Sequence, residues 1–296
     1  MDAEKASETN PGGCPVAFLC RVLKVSRSAY YAWRAAKPAR GVRQRAEDTL
    51  VAEIRVLHAG SRGAYGVPRI HAALRRAGRA VNAKRVERLM REHRIVGITR
   101  RRRRVLTRQA KRAVFAADLI GRDFTAPRPG TKIVGNITYI PTAGGRLCLA
   151  SWLDLATRVV VGYSMADHHR AGLVVDALDM AAALGRLEPG CVIHSDRGSE
   201  YTSRSTAQRN SRVGFRQSMG RTGSCFGNAA AESFRAVLKE GIGPRFWPDR
   251  ATARADIFDF VETFYNRRRL RKHIHWGHLT PHETRLRHQQ DQALAA

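Results

Sequence analysis

The stretch from Ile133 to Met165 limits what this chain can fold into more than any other, because three apolar, β-branched runs follow one another there with little between them. Ile133 to Pro141 reads as a strand, Leu147 to Leu155 as a second turned back at Gly144 and Gly145, and Val159 to Met165 as a third. Strands this close form an antiparallel meander, since a parallel return needs a long crossover. Next, Ala171 to Leu184 puts Leu173, Val174, Leu178 and Ala181 on one helical stripe, Cys191 to His194 is a short buried strand, and Phe215 to Ser218 another.

Three strands, a helix, a strand, a helix, a strand and then helices is the order of a ribonuclease-H-like layer, an α/β fold with a mixed sheet flanked by helices. In that topology the first strand is central and the strand at Cys191 runs beside it, so positions 136 and 196 meet. Asp196 lies in HSDRGSEYTS directly after the apolar run; Glu232 lies on a later helix in GNAAAESFRAVLKE, with 35 residues, 197–231, between them. Acids from remote elements can converge on divalent metal, the usual source of phosphodiester chemistry. Read separately, Asp196 is an ordinary turn residue and Glu232 a surface helix residue; their joint spacing and flanks favour the metal site. A third acid is expected on the first strand, and Asn136 stands there.

The net charge of +28 is carried mostly by arginine, which recognises phosphate through a planar fork. A genome rich in G and C also raises arginine, but the clustering points to a polyanion partner. Arg100, Arg101, Arg102, Arg103 and Arg104 are consecutive, and Arg267, Arg268 and Arg269, with Arg271 and Lys272, make a second block. The five cysteines form no CxxC pair, which argues against structural zinc or a disulfide framework. With no run of about 20 apolar residues and no leader pattern, the expected location is cytoplasmic, associated with the nucleoid.

Residues 1–13 read as a disordered tail. Over 14–40, Val16, Phe18, Leu19, Val22 and Leu23 recur at helical spacing, and Ser26 offers an N-cap to a second helix with Tyr30, Tyr31 and Trp33. This is either a short helix-turn-helix presenting Arg27 and Ser28 or a plain helical hairpin. Residues 45–98 hold a helix over 45–58, then a pair started by Pro68 and by the cap Asn82. The outer face of the last helix carries Lys84, Arg85, Arg88 and Arg91, suited to a DNA groove or to solvent. A basic linker spans 99–121, the core 122–288 and a tail 289–296.

GRDFTAP, ITYIPT, WLDLATRVVVGYSMADH, IHSDRGSEYTS, SMGRTGSCFGNAAAESF and FYNRRRLRKH, in this order, closely resemble the integrase-core transposases of bacterial insertion sequences. The likeness is to the second-frame protein of the insertion-sequence three family, relatives of retroviral integrases, and covers about Pro15 to Arg287. It implies a triad at position 136, Asp196 and Glu232, with 59 residues, 137–195, in the first gap. It implies two Mg2+ ions, with Mn2+ able to substitute, and metal-dependent strand cleavage and strand transfer. Implied partners are DNA (inverted-repeat element ends and target), an upstream-frame subunit or fusion, and further copies of the chain on DNA.

The departures are as informative. Asn136 replaces the first acid by a neutral amide that offers one carbonyl oxygen and no charge, so it would weaken metal binding and impair catalysis. Phe226-Gly227-Asn228 stands where an aromatic-Asp-Asn step is usual, and Arg146 and Cys148 replace expected aromatics on the second strand. Asp123 and Asp154 do not suit as substitutes, the first preceding the sheet and the second matching a family position of its own. The alternative role is a non-catalytic DNA-binding protein that occupies element ends or represses transposition.

Overall fold

The computed structural model describes residues 14–98, 116–220, 228–243 and 245–295. Five helices come first: α1 (Val16–Val22), α2 (Arg27–Ala35), α3 (Lys37–Gly60), α4 (Val67–Arg76) and α5 (Ala83–Glu92). The expected caps are in place, Ser26 accepting from the Ala29 N–H at 3.1 Å and Asn82 from Lys84 at 2.8 Å. The helix expected from residue 45 begins instead at Lys37. Pro38 falls in its first turn, where no N–H is missed, and Gly41 costs only about 1 kcal/mol within a helix. Leu50, Ile54, Ile70, Leu74, Val86 and Leu89 close a core among α3, α4 and α5.

The sheet follows: β1 (Lys132–Thr142), β2 (Gly145–Asp154), β3 (Val160–Ala166), α6 (Ala171–Ala183), β4 (Val192–Ser195), α7 (Arg204–Arg212) and β5 (Arg216–Met219). Its order is β3-β2-β1-β4-β5, with β1 antiparallel to β2 and parallel to β4. This is the ribonuclease-H-like arrangement. The register pairs Lys132 with Val192, Ile133 with Ile193 and Val134 with His194.

Two apolar layers cover the faces. Ile133, Trp152, Val161 and Ile193 pack with Leu173, Val174 and Leu178 of α6. On the opposite face Val134, Leu149 and Val192 meet α8 (Ala229–Ile242) and α9 (Arg250–Phe258). A π-helical segment, Asp259–Tyr265, continues α9 and buries Phe260, Val261 and Phe264. Asn266 ends it, accepting from the Val160 N–H at 3.0 Å and donating to the Val160 carbonyl at 3.3 Å. The short hairpin β6 (Arg271–His273) and β7 (Gly277–Leu279) leads to α10 (Pro281–Ala295), so the expected tail from 289 is helical instead.

The amino-terminal helices and the sheet domain are joined. Leu270 inserts into the core of α3, α4 and α5; its N–H donates to the Tyr65 hydroxyl at 2.6 Å, and that hydroxyl donates to the Arg268 carbonyl at 3.1 Å. Arg62 adds an ion pair to Asp259 at 2.5 Å. Among the described residues no helix is long and apolar enough to cross a membrane.

Candidate active site

Strand alternation decides which side chains can meet. Val134 and Ile140 of β1 face the α8 layer, whereas Ile133 faces α6, so Asn136 shares the α8 face with Val134. Val192 of β4 lies on that face too. Continued past Val134 and His194, the register sets Asn136 level with Asp196, the residue directly after β4.

Glu232 approaches from above. It lies in the first turn of α8, whose cap residue Asn228 is buried and donates its side-chain N–H to the Gly135 carbonyl at 2.7 Å. The Glu232 N–H in turn donates to the Asn228 carbonyl at 3.0 Å. Helix α8 is thereby fixed to β1 one residue from Asn136. On its other side Gly135 makes room for Trp152 of the α6 layer, since a Cβ there would stand 2.5 Å from that ring. The other amide atom of Asn228, Oδ1, is buried and has no hydrogen-bond partner among the described residues.

Asp196 opens a tight loop. Its Oδ1 accepts from the Gly198 N–H at 3.1 Å, and the Arg197 guanidinium donates to the Gly220 carbonyl at 2.8 Å. Although the side chain reaches solvent, the surrounding protein strips enough water to push its carboxyl above the usual aspartate value. Repulsion from Glu200 adds to this; the Gly198 N–H, His169 and His194 oppose it. Glu200, 7% exposed, is held by His169 Nδ1 at 2.7 Å and by the Ser199 hydroxyl at 2.7 Å.

Asp154 and Asp123 are engaged elsewhere. Asp154 is wholly buried and accepts from the Gly130 N–H at 2.8 Å, the Thr157 N–H at 2.8 Å and the Thr157 hydroxyl at 2.5 Å. Asp123 accepts from the Thr125 hydroxyl at 2.6 Å and pairs with Lys132 at 3.3 Å.

The oxygens of Asp196, Glu232, Asn136 and the orphan Asn228 Oδ1 suit a hard divalent cation in kind. Two carboxylates balance the charge of one such ion and leave a second uncompensated. Among the described residues no group of three His, Cys, Asp or Glu could hold a metal.

Residues 126–225 match the integrase core domain family, and residues 45–103 match an HTH-like domain. The chain is 33% identical to the transposase InsF for insertion sequence IS3A of Escherichia coli (strain K12), over 90% of this chain and 92% of that protein. It is also 33% identical to the 31 kDa protein of insertion element IS600 from Shigella sonnei, over 92% of this chain and 99% of that one. The chain belongs to the IS3 family of insertion-sequence transposases. Among solved structures it is similar to the simian T-cell lymphotropic virus intasome at a TM-score of 0.44 and 14% identity, over 79% of this chain and 74% of that one.

The basic residues of this IS3-family chain divide into distinct sets. On α5, Glu47 binds Arg88 at 2.5 Å and draws Arg85 to 3.8 Å, and Arg88 also pairs with Glu92 at 2.9 Å. Lys84 and Arg91 are exposed and form no salt bridge among the described residues, so the cationic face is narrower than the charge pattern suggests. Arg27 and Ser28 are exposed at the start of α2, as are Arg267 and Arg268 after the π-helical segment, while Arg269 turns inward. Arg100, Arg101, Arg102, Arg103 and Arg104 lie outside the described residues, as do Phe226 and Gly227.

Charge clustering along the chain did not single out Arg235 and Lys239, three and seven positions beyond Glu232 on the same helix. That spacing puts them on the Glu232 side of α8. Desolvation, and then repulsion by Arg235, holds the Lys239 ammonium below its ordinary value. The i, i+3, i+7 pattern was the signal available in the sequence.

Proposed function

We propose that this protein recognises the terminal inverted repeats of an insertion element and acts there as a polynucleotidyl transferase whose catalysis is impaired by Asn136. The observation that supports this reading is the placement of the elements that bear the three positions. Asn136 and Asp196 share a sheet face and a level, and α8 is anchored one residue away with Glu232 in its first turn.

In this proposal Asp196 and Glu232 hold one divalent cation, with the carbonyl oxygen of Asn136 as a weak neutral donor. When bound, such an ion polarises a phosphodiester and lowers the pKa of an attacking hydroxyl. Arg235 and Lys239 extend the Glu232 face of α8 with positive charge, which orients the phosphates flanking the scissile bond. Asn136 brings no negative charge, and its amide N–H groups are donors where a cation needs an anionic oxygen. A second carboxylate-bridged ion has no support from these residues.

Strand transfer on the inverted repeats flanking this reading frame, in Mg2+ or Mn2+, tests the proposal. The native chain is expected to be feeble and Asn136→Asp to gain at least ten-fold. Strong activity without the substitution would remove the impairment, and inactivity of both would place the defect elsewhere.

The neutral residue at 136 also favours a second reading, in which the chain occupies element ends without cutting them. Binding through several phosphates should then weaken steeply with salt. Gel shifts showing a flat salt response, or no preference for the element's ends, would sink it.

A further inference from the structure

Beside the candidate active site, on the adjoining flank of α8, lies a cavity of about 390 Å3 with four arginines in its wall. Arg69 comes from α4, Arg158 from the β2–β3 turn, Arg269 from the segment after the π-helical turn and Arg271 from β6. All four are half-buried, and among the described residues none of them forms a salt bridge. We infer that this cavity is a phosphate-binding pocket, built from both the amino-terminal helices and the sheet domain and separate from the metal position.

Four guanidinium groups facing one half-buried space repel each other unless an anion lies between them. Burial, and then Arg269, holds Arg69 below the ordinary arginine value; burial, and then Arg158 and Arg269, does the same to Arg271. The nearest acids offer little compensation. Asp154 attracts Arg158, but its oxygens are committed to Gly130 and Thr157, while Glu240 attracts Arg69 less than Arg269 repels it.

Arg158 gives the most specific sign. It donates to the Phe124 carbonyl at 2.9 Å, yet its Nε is buried without an acceptor among the described residues. Its backbone is left-handed, at φ 65°, a conformation unfavourable for a residue with a Cβ and one that accumulates at functional positions. Ala229 and Ala230, the first residues of α8, also line the cavity. The N-terminus of this helix, where the Asn228 side chain makes no cap bond, adds N–H donors and a positive dipole end. Apolar walls from Leu153 and Phe234 keep the dielectric low, and the arginine fork matches phosphate geometry.

Such a phosphate belongs either to the backbone of bound DNA or to a free anion, and the first source rests on the function proposed above. The test uses the full chain with Arg271→Gln and, from the other domain, Arg69→Gln, each checked for folding by circular dichroism. One arm titrates inorganic phosphate calorimetrically at ionic strength matched with chloride; the other measures affinity for element-end duplex against salt. If the pocket grips the DNA backbone, each variant lowers DNA affinity about three- to ten-fold and flattens the salt slope by about 1. If it takes free phosphate, each variant abolishes phosphate binding and leaves DNA affinity unchanged. Unaltered phosphate binding and unaltered DNA affinity in both folded variants overturn the pocket. Because the phosphate arm needs no DNA, failure of the proposed DNA function is read separately.

Discussion

The side chain of Asn228 donates to the carbonyl of Gly135 at 2.7 Å, and this bond ties the start of α8, with Glu232 in its first turn, to the central strand. The bond is buried and joins residues 93 positions apart, so no local preference of the chain can replace it. Asn228→Ala is expected to destabilise the protein by about 1 to 2 kcal/mol, the cost of leaving the Gly135 carbonyl without its donor. Urea denaturation measures this directly. Restoring the acid with Asn136→Asp should then rescue strand transfer poorly in an Asn228→Ala background.

Asp196 is held in a site that disfavours its charge, and the sign of the consequence follows from linkage. With its carboxyl pushed above the ordinary aspartate value, the folded protein binds a proton that the unfolded chain has released. Stability contributed by this group is therefore complete at low pH and falls as pH rises through the raised value. Asp196→Asn is expected to raise the melting temperature at pH 7 in EDTA and to flatten that decline. Added Mg2+ should stabilise the native chain more than the variant. A variant no more stable than the native chain in EDTA would contradict this account of the site.

Glu47 restrains the positive charge of α5. It binds Arg88 and draws on Arg85, so Glu47→Ala should free Arg85 and leave Arg88 held by Glu92 alone, raising the positive charge open to phosphate. DNA affinity at low salt is expected to rise several-fold, with a steeper salt slope by about 1 to 2. Stability should fall by less than about 1 kcal/mol, since both pairs are partly exposed. Unchanged affinity would place the α5 face away from DNA.

Much of this architecture is legible in the order of residues alone. The alternation of Ile133, Val134 and Ile140, the turn at Gly144 and the helical stripe through Leu173 and Leu178 dictate the order of the sheet, because local periodicity and short connections leave few topologies. Asp196 and Glu232 stand out through their flanks. The contacts that unite distant segments are hidden: nothing near Asn228 announces Gly135 as its acceptor, and nothing near Glu47 announces Arg88. The π-helical segment escapes notice because its apolar residues mimic an ordinary helix. Arg69, Arg158 and Arg271 scatter over more than 200 positions of chain, and only folding gathers them around one cavity.

The insertion of Leu270 between α3, α4 and α5 carries an evolutionary corollary. The helical domain borrows one wall of its interior from a segment about 200 positions further along the chain, and the Tyr65 hydroxyl bonds to that segment twice. A frameshift or stop codon upstream of residue 270 therefore leaves the core of α3, α4 and α5 with an open seam, so the helices are not a self-sufficient unit once that segment is lost.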